Sequence, residues 1–207
     1  AVAVFGEWPE SQSVRTSAAL LLDSVNSDPE VRLVIHVGDI HSGSMACTGA
    51  GLNPIPAGSV PGWNQGIFNI FQQFKDPVVY TPGDNEWTDC HKTKEKSSGA
   101  PLNELAAVRS LFFPNPGFAL GSAGTESKEV DSQANEFEGE VPTDGQFVEN
   151  VMWKQSKVVF VTLNVPGSNN DGLPWSGSFL NEDARKKEVT ERNAANLRWL
   201  DKAFHEG

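Results

Sequence analysis

Short apolar, β-branched runs alternate along this chain with stretches that are apolar on one helical face only. AVAVFG at 1–6, VRLVIHVG at 31–38 and DPVVYTPG at 76–83 are nearly free of charge, as strands buried on both faces read. Between the first two, SQSVRTSAALLLDSVNS at 11–27 places Val14, Ala18, Leu21, Leu22 and Val25 on one face, with a serine near the start to cap a helix. Strand, helix and strand in so short a span predict a βαβ unit with parallel strands. Ile67, Ile70, Phe71 and Phe74 predict a second amphipathic helix leading into the third strand, and so a second βαβ pass. Leu102, Leu105, Val108 and Phe112 predict another helix, ended by the prolines of FFPNPG. SKVVFVTLNVPG at 156–167 predicts a fourth strand with GSNNDG as a turn. The closing stretch predicts a helix with Leu197, Leu200 and Phe204 facing inward.

Two stretches break the pattern. Residues 42–66 are rich in Gly, Pro, Ser and Asn and predict a long loop. Residues 122–146 hold seven acids against one lysine with neither period, which predicts a solvated loop. TDCHKTKEKSSGAP at 88–101 is polar and loop-like. The expected class is α/β, a single domain over 1–207. Its pattern stops on a helix that should lead into another strand, so the domain is expected to be the N-terminal part of a larger one, completed by a partner chain, a further C-terminal segment or self-association.

Composition narrows the function classes. A chain of 207 residues with 38% hydrophobic content, six Trp and twelve Phe can bury a sizeable core. A formal net charge of −11 argues against nucleic acid or an anionic membrane surface as partner. No run approaches the ~20 apolar residues of a membrane span. The sequence opens at Ala1 without methionine, which fits a removed signal peptide or a trimmed chain. Cys47 and Cys90 are the only cysteines. They are either free thiols of a cytosolic protein or a bridge between neighbouring loops; each follows a Gly-Asp strand end, which favours the bridge and an oxidising, secreted or periplasmic location. G-x-G-x-x-G, G-x-x-x-x-G-K-S/T and G-x-S-x-G are all absent.

The candidate chemistry sits where apolar runs end. Each of the three strands closes on glycine followed at once by a carboxylate: Glu7, Asp39 and Asp84. Glycine permits a tight turn, and open α/β sheets bind ligands along the carboxyl edge. One such acid is an ordinary turn residue, but three on neighbouring strands predict hard oxygen ligands for a divalent metal. His41 follows Asp39 by two and points to the same side, a further candidate ligand. His91 is a candidate ligand or acid, or a surface residue. His36, mid-strand, reads as a packed core histidine. Asn169 and Asn170 read as turn residues with substrate contact as the alternative, and Trp87 walls the pocket or simply packs.

GDIH at 38–41 and GDNE at 83–86 together resemble the calcineurin-like metallophosphoesterases, and PGDNEWTDCH, GSNN and RNAANLRWL are similar to a divergent, mostly bacterial branch of that superfamily. The resemblance implies a four-layer α/β/β/α sandwich, incomplete at its C-terminus, and hydrolysis of a phosphomonoester or phosphodiester by metal-activated water. It places Asp39 on the metal-bridging aspartate, Asp84 on a metal-binding asparagine, Glu7 on the first aspartate, and Asn85 on the histidine that protonates the leaving group. Glu86 matches the acidic end of the motif, and Pro9 replaces the first histidine. The implied cofactor is a divalent metal, whether Mn, Fe, Zn, Mg or Ca, and the implied partner a small phosphate ester. Asn85 can polarise a phosphate oxygen but cannot act as a general acid. The competing reading is therefore a non-catalytic binding protein on a degenerate scaffold.

Overall fold

The computed structural model describes residues 1–122, 128–137, 139 and 141–207. Among the described residues, seven strands form two sheets. In the first, β1 (Ala3–Phe5), β2 (Val34–His36), β3 (Pro77–Tyr80) and β4 (Leu120–Gly121) lie in that order; the first three are parallel and β4 runs antiparallel to β3. In the second, β5 (Asp131–Ser132), β6 (Val151–Gln155) and β7 (Val158–Val161) are antiparallel. The helices are α1 (Gln12–Thr16), α2 (Ala18–Ser27), α3 (Trp63–Phe71), α4 (Pro101–Phe112) and a C-terminal helix, Glu182–Glu206. The architecture is mixed α/β. No helix among the described residues is long and apolar enough to cross a membrane.

Side-chain alternation along the strands sets the layers. Val34, Val78 and Tyr80 point to one face of the first sheet and pack with Leu22, Val25, Trp63, Ile67, Phe71, Val108 and Phe112 of α2, α3 and α4. Leu33 and Val79 point the other way, onto Val151 and Trp153 of β6, with Ile35 and Phe160 joining them. Met152, Val159 and Val161 face away from that seam and pack on Trp199 and Ala203 of the C-terminal helix. Helices, sheet, sheet and helix thus follow one another.

Several elements depart from the sequence pattern. The expected fourth strand is the second arm of a hairpin. VMWKQ at 151–155 precedes it, and Ser156 and Lys157 turn the chain with φ of 53° and 64°. Two left-handed residues match the twist that a two-residue hairpin requires. The expected first helix is two, broken at Ser17; Ser11 caps α1 by accepting the Val14 N–H, and Ala18, Leu22 and Val25 are the buried positions of α2. Helix α3 begins at Trp63, inside the expected 42–66 loop. β1 is an edge strand with Val4 60% exposed, so it is not buried on both faces.

Two expectations fail outright. The described part of 122–146 carries β5, the 3₁₀ turn Pro142–Gln146, and buried Val130, Ser132, Gln133 and Asp144; residues 123–127, 138 and 140 of this stretch lie outside the described residues. Arg198 forks onto both Asp144 oxygens and the Gln133 amide donates to Asp144 Oδ2 at 3.1 Å, so this acid belongs to the interior. On the C-terminal helix, Leu197 and Phe204 are 68% and 78% exposed, while Arg192, Ala195, Asn196, Trp199 and Ala203 are buried. Polar anchoring acts with the packing of Trp199 and Ala203 to fix that face: Asn196 Nδ2 donates to the Asn164 carbonyl at 2.8 Å and Arg192 Nη1 to the same oxygen at 3.2 Å.

The long loop after β2 is pinned at named points. Cys47 and Cys90 form a disulfide, and Ser98 Oγ accepts the Cys47 N–H at 2.7 Å. Trp63 Nε1 donates to the Ile40 carbonyl at 2.9 Å. Glu104 of α4, fully buried, accepts from Gly49 N and Ala50 N at 2.7 and 2.9 Å and from Thr48 Oγ1 at 2.7 Å. Removing an acceptor strands its donors without water, at a cost of ~1–3 kcal/mol for each group left unpaired. Glu104→Ala is therefore expected to destabilise by on the order of 3 kcal/mol in urea unfolding, with faster amide exchange at Gly49 and Ala50. Exchange unchanged at both amides would show that the loop is held elsewhere.

Candidate functional site

The strand ends β2 and β3 meet backbone to backbone. Gly38 has φ of +93°, and a Cβ there would lie 2.3 Å from Gly83 N; a Cβ on Gly83 would lie 2.1 Å from Asp39 Oδ1. Only glycine fits either position, and the approach sets the carboxyls of Asp39 and Asp84 side by side. Asp39 itself is left-handed, with φ of 59°, a conformation that costs a non-glycine residue ~1–2 kcal/mol. The Asn85 N–H donates to Asp39 Oδ1 at 3.3 Å. Beneath them Glu86 is buried, its Oε1 accepting from Ile40 N at 3.1 Å and Tyr80 Oη at 2.9 Å. Glu86 thereby ties the turn after β2 to β3.

Neighbouring carboxylates raise the proton affinity of Asp39. Burial first, and then the Glu86 charge, push Asp39 up to about 7 against the opposing Asn85 N–H; the Asp84 charge and a side-chain hydrogen bond with Asp84 add to the rise. Burial also raises Glu86, although the N–H groups and the Tyr80 hydroxyl around it pull the other way. Two carboxyls in contact need a shared proton or a cation between them.

Positive charge stands on one flank. Asp89, buried, receives Lys92 Nζ at 2.5 Å and Lys94 Nζ at 2.9 Å. Burial works to raise it, but the hydrogen bonds from Lys92, Ser168 and Lys94 outweigh that and hold it below the usual range. Ser168 Oγ lies 2.8 Å from Asp84 Oδ2 and 2.7 Å from Asp89 Oδ1, and accepts Lys92 Nζ at 2.6 Å. Its one hydrogen can serve only one of the two acids.

Ser168 opens a run of four left-handed residues, Ser168, Asn169, Asn170 and Asp171, with φ between 52° and 60°. Such a conformation normally occurs singly. Here Arg192 holds the run: Nη1 donates to Asn170 Oδ1 and Nη2 to the Asn170 carbonyl, while Glu188 takes the Arg192 Nε–H at 2.6 Å. Asn170 Nδ2 donates to Asn193 Oδ1 at 2.8 Å, and Asp171 accepts Trp175 Nε1 at 2.9 Å. Strain of this kind gathers at ligand sites.

The remaining candidates are dispersed around this pair. Glu7 reaches the same edge through its backbone, donating its N–H to the Gly38 carbonyl at 3.0 Å, while its side chain is exposed. His41 is buried, with Nδ1 3.2 Å from the Ser42 carbonyl; burial lowers its proton affinity, with that carbonyl and Glu104 opposing. Asn85 spends an amide hydrogen on the His41 carbonyl at 3.0 Å. His91 Nδ1 accepts the Ser176 N–H at 3.0 Å, which puts its proton on Nε2; burial, and then Lys92, lower its pKa. His36 is a core histidine, lowered to about 4 by burial, its Nε2 donating to the Trp8 carbonyl at 2.6 Å and its Nδ1 accepting from Gly38 N. Trp87 is fully buried under Arg192. Asn169 is exposed. Among the described residues, the group of three metal-ligating side chains with atoms within 4.8 Å of one another is Cys47, Cys90 and Glu95. Neither Glu7 nor His41 joins Asp39 and Asp84 at that distance.

Asp89, Lys92, Lys94 and Ser168 escaped the sequence reading. They lie in segments read as a polar loop and a turn, and only the fold brings them together. The signal was the lysines spaced two apart after Asp89, next to a cysteine that fixes the segment. Comparison with protein-family models, with characterised proteins and with solved structures finds no match.

In chelator, the Asp39 proton sets a pH dependence. Its folded pKa is raised, so the folded chain keeps a proton that the unfolded chain loses above about 4, and stability falls as pH rises from about 4 to about 7. Asp39→Asn removes that part of the fall. In EDTA the variant is expected to exceed the parent at pH 8 by on the order of 1 kcal/mol after solvent screening, and to gain nothing at pH 4. Parallel melting curves for the two proteins across this range would contradict the assignment.

Proposed function

We propose that the chain is a metal-dependent phosphoesterase acting on a phosphomonoester or phosphodiester, with its cation held by Asp39 and Asp84. The observation that carries this reading is the contact between these two carboxyls at the carboxyl edge of the parallel strands. Such a pair repels unless it is neutralised, yet here backbone contact, a left-handed Asp39 and the Asn85 N–H all work to hold it. The donors are hard oxygens, which suit Mg²⁺, Ca²⁺ or Mn²⁺ better than a nitrogen- or sulfur-seeking ion. The order of helix, sheet, sheet and helix supports the metallophosphoesterase resemblance.

When bound, a divalent cation would polarise a phosphoryl oxygen and acidify a water bound to it. The protein's own residues supply the rest. Asn85 orients Asp39 through its N–H. Lys92 and Lys94 place two ammonium groups beside the acids, where they can neutralise phosphate oxygens. Ser168 locks Asp84 to that flank. His91 is held neutral with its proton on Nε2, and so is suited to donate a hydrogen bond rather than to carry charge. The disulfide fits an oxidising compartment, and we place the protein outside the cytoplasm.

A second reading rests on the exposed Glu7 and the engaged His41 and Asn85 amide. Among the described residues they leave no third ligand beside Asp39 and Asp84 for a second cation there, as a non-catalytic binding protein on this scaffold would.

Calorimetry with Mn²⁺, read beside hydrolysis of bis-p-nitrophenyl phosphate and p-nitrophenyl phosphate, separates the two. The parent is expected to bind Mn²⁺, to melt higher with it by mass action, and to turn over one ester. Asp39→Asn should weaken binding by about tenfold or more and abolish turnover, and Asp84→Asn should weaken binding only in part. Metal binding without turnover would favour the binding protein. An Asp39→Asn variant that binds Mn²⁺ as tightly as the parent would end the metal reading.

A further inference from the structure

We propose that Cys47, Cys90 and Glu95 form a second metal site, for a thiolate-preferring dication such as Zn²⁺, that exists only when the Cys47–Cys90 bond is reduced. One ligand atom from each lies within 4.8 Å of the others, and all three residues are buried. Two thiolates and a carboxylate are a donor set suited to Zn²⁺. It differs in kind from the all-oxygen pair at Asp39 and Asp84.

Glu95 carries the argument beyond proximity. Its Oε2 lies 3.4 Å from Cys47 Sγ, but a disulfide sulfur has no hydrogen to give. Its Oε1 is buried without a hydrogen-bond partner, and the Lys94 ammonium stands 3.7 Å from it. A fully buried carboxyl that receives a hydrogen on neither oxygen is an exception that needs a reason. Burial, then the Asp89 charge, push Glu95 up to about 9, so in the disulfide form it is a neutral acid aimed at sulfur. The Asn85 carbonyl lies 3.4 and 3.5 Å from the two sulfurs and closes another side of the same space. Lys94, half exposed, covers Glu95, so the site lies one flexible side chain from solvent.

The chemistry balances with an external reductant. A trialkylphosphine and one water convert the S–S bond to two thiols, the phosphorus giving two electrons and becoming the phosphine oxide while the water supplies both protons. Metal binding then displaces both thiol protons and the Glu95 proton to solvent. Disulfide and metal are alternative fillings of one position, because sulfurs bonded to each other are not thiolate ligands.

The probe is Co²⁺ followed by Zn²⁺, because thiolate-to-cobalt charge transfer is a signature that a carboxylate-only site cannot produce. Phosphine-reduced protein is expected to develop that band at one cobalt per chain and to lose it when Zn²⁺ is added. The oxidised protein should show none. Cys47→Ser should abolish the band, and Glu95→Gln should weaken Co²⁺ binding by about tenfold or more. Reduced, folded protein without the band would overturn the proposal, as would a band of the same affinity in Glu95→Gln. Should reduction unfold the chain by near-ultraviolet circular dichroism, recovery of the native spectrum on adding Zn²⁺ supports the site and failure to recover overturns it. Metal binding at Asp39 and Asp84 contributes nothing to the band, so either reading can fail alone.

Discussion

The backbone approach between Gly38 and Gly83 is the constraint from which the candidate site follows. A side-chain carbon at either glycine would occupy space held by the other strand end or by Asp39. Because the two turns touch, the residues after them cannot diverge, and two carboxyls stand against each other where a sheet of wider spacing would leave them solvated and apart. Glu86 reinforces the contact from below, bonded to Ile40 N and Tyr80 Oη. The sheet supplies the rigidity, through parallel pairing of Val34 to Val78 and His36 to Tyr80. The turns convert that rigidity into clustered charge.

Clustered charge and strained backbone both need restraint from elsewhere, and the restraint comes from distant parts of the chain. Arg192 and Asn196 of the C-terminal helix hold the segment after β7, including the left-handed run at 168–171. Ser168 at its head touches Asp84 and Asp89. The second sheet and its helix therefore do more than cover apolar surface. They fix one wall of the site, through a fully buried arginine neutralised by Glu188. The disulfide and Glu104 do the same for the opposite loop. Beside the disulfide, the anchors Arg192, Asn196 and Glu104 are polar and buried, the kind of contact that specifies one arrangement when every partner is satisfied.

Apolar periodicity made much of the first layer legible. The three strands, the parallel βαβ passes and the helix faces at Ala18, Leu22 and Val25 and at Leu105, Val108 and Phe112 follow from residue spacing, because those side chains are buried by hydrophobicity alone. The Gly-acid junctions were legible for the same reason: a glycine at a strand end states a backbone requirement. Where burial is polar, the pattern misled. The C-terminal helix turns Arg192, Asn196 and Trp199 inward and leaves Leu197 and Phe204 exposed, because hydrogen bonds to Asn164 and Asn170 and the packing of Trp199 and Ala203 on the second sheet fix its rotation together. Asp144 and Gln133 are interior for a like reason.

The sequence by itself determined which strand ends carry acids, that Cys47 and Cys90 follow two of them, and that the chain has an α/β pattern. These are local facts, fixed by steric limits on glycine and by apolar period. Only the tertiary structure decided which candidates meet. Asp39 and Asp84 come together, while the Glu7 side chain is exposed and His41 faces the Ser42 carbonyl. Lys92, Lys94, Asp89 and Ser168 are assembled from segments about eighty residues apart. Contacts between residues so distant in sequence are set by how layers pack and which buried polar groups find partners. No local pattern of residues encodes that matching.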